Sequence, residues 1–219
     1  MTSLYAFVAG PLAWAAFLFF FGGLCYRLLS MLRQVRQSEP FIFSYMSLRY
    51  SLRSILHWLI PFFAMGWRRN PILTGVTFIF HISLIAAPVF IVSHVVLWDE
   101  AWNLSWWTLP DAVVDVMTLV VVAACLFFAL RRVLRPEVRF VSDASDYLLL
   151  VLTAAPFVTG FLAYHQWPAG PWMTIAHMVS GELLLALIPF TRLRHMLSGW
   201  LTRAYIGSEF GAVRHARDW

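Results

Sequence analysis

"PILTGVTFIFHISLIAAPVFIVSHVVLW", residues 71–98, runs for twenty-eight residues without a single Asp, Glu, Lys or Arg. A bilayer's hydrocarbon core is about 30 Å thick and takes about 20 predominantly apolar residues to cross as a helix, so this stretch reads as a transmembrane span. It differs from plain lipid-facing sequence in two ways: it carries two histidines, His81 and His94, and a proline, Pro88, between them.

Four further runs of this kind flank it. They cover about residues 4–29, 111–130, 147–164 and 171–193, each long enough to span with ordinary tilt. Of the 219 residues, 61% are hydrophobic and only 12% charged, a balance that a water-soluble domain of this size does not hide in one core. The expectation is an all-α integral membrane protein, one domain over residues 1–219 built as a five-transmembrane-helix bundle. The first run lacks the basic start and small-residue cleavage site of a signal peptide.

Charge orients the bundle. All 16 basic residues are arginines, and they fall at the inner ends of runs one and five, between runs one and two, between runs three and four, and in the tail. Asp99, Glu100, Asp111 and Asp115 lie on the opposite side. The positive-inside rule then predicts an N-terminus outside and a C-terminus in the cytoplasm, as in a multi-pass protein of the bacterial inner membrane. The same confinement explains the pI near 9.7 without nucleic acid, which is excluded as a partner. Cys25 and Cys125 lie in apolar runs with no CxxC spacing and read as packing residues.

The long connector, about residues 31–70, mixes apolar and basic residues in "SLRSILHWLIPFFAMGWRRN". It reads either as a helix in the cytoplasmic interface or as a surface docked to a partner. "WDEAWNLSWWTLP", residues 98–110, places four tryptophans at the outer surface, where indoles favour the interface.

Ionisable residues inside spans point to function. Of seven histidines, His81 and His94 lie in run two, and His177 lies in run five with His195 at its inner end. In an antiparallel pair of helices His94 comes level with His177, and His81 broadly level with His195. Two facing imidazole pairs, one per leaflet, are the arrangement that ligates two stacked b-type haems in a bundle.

His177 and His195 are eighteen residues apart, five whole turns and about 27 Å on an unbroken helix, so both rings would leave one face. His81 and His94 are thirteen apart, about 20 Å and roughly 140° around, a poor match that Pro88 could relieve by kinking the helix. His165, near the outer end of run four, is the alternative outer ligand, while His57 and His215 lie outside the spans. Without haem, the same histidines would suit a proton relay in a transporter.

The stretch "LIPFTRLRHMLSGWLTRAY", residues 187–205, resembles the end of the last membrane helix in the gamma subunit of respiratory nitrate reductase, where a Pro-Phe-[Ser/Thr]-[Arg/Lys]-Leu-x-His run carries a haem ligand. "FHIS" at residues 80–83 and the five runs extend the resemblance over essentially the whole chain. The thirteen-residue spacing in run two and the longer connector depart from that subunit. With Pro88, they look more like the cytochrome b subunits of the Tmc and Hmc transmembrane redox complexes and the membrane subunit of the Dsr complex.

The resemblance implies two haems b, with His94 and His177 holding the outer one and His81 and His195 the inner one. It further implies an electron-transfer subunit of an oxidoreductase complex, exchanging electrons with the menaquinone pool or a periplasmic multihaem cytochrome c and with an iron–sulfur subunit on the cytoplasmic face. Arg192 suits either a haem propionate or a cytoplasmic anchor. Glu182, mid-span, suits either quinone proton chemistry or a bond to a neighbouring helix, and Asp115 is a second proton candidate.

Overall fold

The computed structural model describes residues 2–218, which contain helices and no strand. In chain order they are α1 (Thr2–Phe7), α2 (Ala13–Ser38), α3 (Ile42–Tyr45), α4 (Leu48–Leu59), α5 (Met65–Arg69), α6 (Pro71–Phe90), α7 (Val92–Trp102), α8 (Asp111–Leu134), α9 (Pro136–Phe140), α10 (Ala144–Tyr164), α11 (Trp172–Leu187) and α12 (His195–Ser208). Five helical stretches are long and apolar enough to cross a membrane: Ser3–Ser38, Pro71–Phe90, Asp111–Leu134, Ala144–Tyr164 and Trp172–Phe190. The chain falls into two compact units, residues 1–12 with 76–184, and residues 13–75 with 185–219.

The boundaries depart from the sequence reading at three points, each with a local cause. The first helix does not stop near Leu29 but runs to Ser38, because "LLSMLRQVRQS" contains good helix formers and no breaker. Pro40 ends it by restricting Glu39. Near its start, Pro11 sits in a π-helical turn, Val8–Leu12, which accommodates the missing N–H.

The second run is not one helix. Ile91 is extended (φ −72°, ψ 135°) and separates α6 from α7, three residues past Pro88. The break turns three carbonyls out of the helical ladder, and each is taken up. Pro88 O accepts from His94 Nδ1 at 2.8 Å, Val89 O from Trp106 Nε1 at 2.9 Å, and Phe90 O from the Leu109 amide at 2.9 Å. The tryptophan-rich loop is therefore folded back on the break, with Trp107 stacked on Phe90 at 4.3 Å.

The fifth run is also interrupted. After Leu187 the chain passes through a 3-10 turn, Ile188–Phe190, extended Thr191, and a second 3-10 turn, Arg192–Arg194, before α12 begins at His195. Pro189 lacks the N–H that would continue α11, and the Thr191 hydroxyl oxygen accepts from the Leu193 amide. The five-turn count from His177 to His195 presumed one helix, so it does not hold.

In the first unit, α6, α8 and α10 pack around Phe80, Val121, Ala124 and Cys125. Phe80 meets Phe128 edge-on at 5.4 Å, and Cys125 is a buried packing residue as its sequence context predicts. Asp143 and Asp146 form a capping box at the start of α10, and buried Asp146 pairs with Arg132 of α8 at 3.3 Å.

In the second unit, α12 packs on α4 through small residues. A Cβ on Gly207 would lie 2.4 Å from Ser54 Cβ, and one on Gly211 would lie 2.2 Å from the Tyr50 ring, so only glycine lets the chains approach. Ser208 Oγ lies 3.0 Å from Ser51 Oγ, while Arg203 and Ser54 both donate to the buried Asp218 carboxylate. Elsewhere in this unit α2 meets the 3-10 turn: Arg27 Nε donates to Pro189 O at 3.1 Å, and a Cβ on Gly23 would lie 2.7 Å from Pro189 Cβ.

Candidate functional site

The site grows from the break at Ile91. Because α7 starts there on a new axis, His94 in its first turn reaches back to Pro88 O and presents its ring to α11. The ring of His177 on α11 lies 5.9 Å from that of His94, centroid to centroid, with 21° between planes. Two imidazoles that share a metal end-on, with metal–nitrogen bonds of about 2 Å, place their ring centres roughly 6 Å apart. The observed pair has that spacing.

The hydrogen bonds fix where one ring proton sits on each histidine. His177 Nδ1 lies 2.8 Å from Pro156 O, as His94 Nδ1 does from Pro88 O. A carbonyl only accepts, so each Nδ1 carries the proton, and in the neutral ring each Nε2 carries the lone pair. A ligating histidine characteristically gives its second N–H to a backbone carbonyl in this way. His81 and His195 carry the same signature, with Nδ1 on Thr77 O at 2.7 Å and on Arg192 O at 3.0 Å. His57 shares it, on Arg53 O at 2.9 Å, so the bond alone does not single out a ligand.

The pocket for His177 is made by α10. Pro156 and Gly160 stand one turn apart, and Gly160 leaves Pro156 O open to a ring approaching from α11. A Cβ on Gly160 would lie 2.8 Å from His177 Nδ1 and 2.9 Å from Cε1. Thr159 Oγ1 and Ser180 Oγ, 3.1 Å apart, fasten the same two helices. Gly160 reads in sequence as one small packing residue among several; only the register of α10 against α11 distinguishes it.

The structure thus brings His94 and His177 together. His81 belongs to the first unit and His195 to the second. His165, the alternative outer ligand, has Nε2 at 3.2 Å from both oxygens of Asp115, which commits that nitrogen to a carboxylate. Asp115 is thereby placed in an ion-pair-like contact between α8 and α10. Arg192 is exposed, and it is its carbonyl that touches His195. Glu182 Oε2 is buried with no hydrogen-bond partner. Among the described residues no group of three or more His, Cys, Asp or Glu side chains could hold a metal ion, whereas an axial haem pair takes two.

The donor set at His94 and His177 therefore fits an axial haem pair: two imidazoles from separate helices, each with Nδ1 on a proline carbonyl, with ring centres 5.9 Å apart. The tryptophan loop, Gly160 and the two proline carbonyls were not legible as parts of this arrangement, although Pro88 was.

No family model and no solved structure matches this chain. A protein of Nitratidesulfovibrio vulgaris (strain Hildenborough) is 36% identical over 218 residues, covering 96% of this chain and 95% of the relative. With that identity over nearly the full length of both, the chain belongs to the same family as the Nitratidesulfovibrio vulgaris protein.

Proposed function

We propose that the chain is the di-haem b membrane subunit of a respiratory redox complex in the bacterial cytoplasmic membrane. It passes electrons between menaquinone or a periplasmic multihaem cytochrome c and an iron–sulfur subunit on the cytoplasmic face. The His94–His177 pair carries this reading: two rings 5.9 Å apart, each with Nδ1 tied to a proline carbonyl and Nε2 left as the lone-pair nitrogen.

When bound between two histidines, haem supplies a one-electron centre with no open coordination position. The chain's own residues do the rest. His94 and His177 would hold the outer haem, and His81 and His195 the inner one. The Arg192 guanidinium, three residues before His195, would neutralise a propionate. Glu182, whose buried oxygen lacks a donor, would take up or release a proton, and Asp115 with His165 would exchange protons nearer the outer surface. The arginine distribution supports an N-terminus outside and a C-terminus in the cytoplasm.

A pyridine haemochrome assay with protein quantitation on the purified full-length chain tests this. Two non-covalent haems b per chain are expected. A haem-free protein would reject the reading and leave the histidines to a proton relay.

A further inference from the structure

Helix α4 is built inside out. On a helical wheel Leu48, Leu52, Leu56 and Leu59 fall within an arc of about 80°. They are 76%, 49%, 56% and 43% exposed. Ser51 and Ser54, roughly 100–160° around the helix from the middle of that arc, are the residues buried against α12, at 6% and 0%. Hydroxyls and glycines, with the edge contact of Trp58 on Trp200, thus make the internal packing, while the aliphatic stripe faces away from it.

We infer that this leucine stripe is a membrane-surface contact, seated in the acyl–headgroup boundary of an anionic leaflet. The inference rests on the spans crossing a membrane, and not on haem. At 12 residues α4 is about 18 Å long, too short to cross, and its apolar face beside a basic one is the pattern of an in-plane interfacial helix.

The charges favour lipid. Arg49 and Arg53 border the stripe on one side, and Arg68 and Arg69 follow it, against Glu39 as the one acid in residues 39–70. Anionic headgroups attract such a row, and arginine stems can lie along the apolar surface while the guanidinium stays in water. The tether is short as well. The span through α2 ends at Ser38 and the next begins at Pro71, so α4 is tethered to a span at both ends, by nine residues before it and eleven after it. Leucine is also under-represented among the residues that anchor protein interfaces.

The test places a nitroxide at Leu52→Cys, Leu56→Cys or Arg49→Cys, singly, in a Cys25→Ser background, with buried Cys125 left in place. Full-length protein is reconstituted in vesicles of phosphatidylcholine with phosphatidylglycerol, and in phosphatidylcholine alone. Power saturation then reads collision with oxygen and with a water-soluble nickel chelate. At Leu52 and Leu56 oxygen should exceed nickel several-fold, with the reverse at Arg49, and the contrast should deepen with phosphatidylglycerol. Nickel dominance at both leucines would overturn the inference. So would protection at both that appears only when partner subunits are co-purified, which would assign the stripe to a protein. None of these outcomes reads haem content, so failure here leaves the proposed function standing.

Discussion

The imidazole of His177 lies against the backbone of Gly160, where a Cβ would come within 2.8 Å of Nδ1. The absence of one side chain on α10 is therefore a condition for the ring's position on α11. Gly160→Ala should gain up to about 1 kcal/mol of helix propensity but lose about 1–3 kcal/mol to overpacking. It should displace His177 and reduce occupancy of one haem. Gly181→Ala, at a position with nothing within 4 Å of the added Cβ, should leave haem content unchanged. Haem-to-protein ratios of the two variants check this.

Trp106 acts on His94 at a distance. Its indole N–H holds Val89 O, one of the carbonyls exposed by the break that sets His94. Trp106→Phe keeps an aromatic ring and removes the donor, at a cost of about 0.5–1.5 kcal/mol. The low-spin ferric electron paramagnetic resonance signal of one haem should shift while the other keeps its g-values. Identical spectra would show that the loop does not position the ligand.

The five long apolar helices were legible because long apolar runs need only counting, and the approach of His94 to His177 because an antiparallel pair of such runs brings them level. The interruptions were not, because they depend on partners distant in sequence. Nothing near Ile91 announces that Trp106 and the Leu109 amide will take up its freed carbonyls. The regular spacing of His177 and His195 invited an unbroken helix across Pro189, although that proline already marked the stop. Pro88, between His81 and His94, was the truer signal, since the helix does break three residues after it, at Ile91.

At the other end of the chain, Asp218 accepts from Ser54 and Arg203, and its side chain is 1% exposed. Asp218→Ala should remove two charge-assisted hydrogen bonds and leave Arg203 without its carboxylate, destabilising the docking of α12 on α4 by about 2–3 kcal/mol. Hydrogen exchange should rise over α4 and α12 and stay unchanged over α8 and α10.

The Arg214 guanidinium holds the Glu209 carboxyl below the usual carboxylate range, helped by the Tyr205 hydroxyl. A depressed carboxyl stabilises the folded state above its ordinary value, and that contribution disappears as pH falls through the lowered one. The turn at Glu209–Val213 should thus hold at pH 5 and loosen only in stronger acid, with Arg214→Gln moving the onset to higher pH. Amide exchange of this segment against pH reads the shift.

Haem quantitation with redox titration across His94→Ala, His177→Ala, His81→Ala and His195→Ala tests the central claim most directly. The account predicts that His94→Ala and His177→Ala each lose the same single haem, identified by its midpoint potential, and that both keep the haem lost in His81→Ala and His195→Ala. Full haem content in His94→Ala or His177→Ala, or loss of different haems from the two, would contradict it.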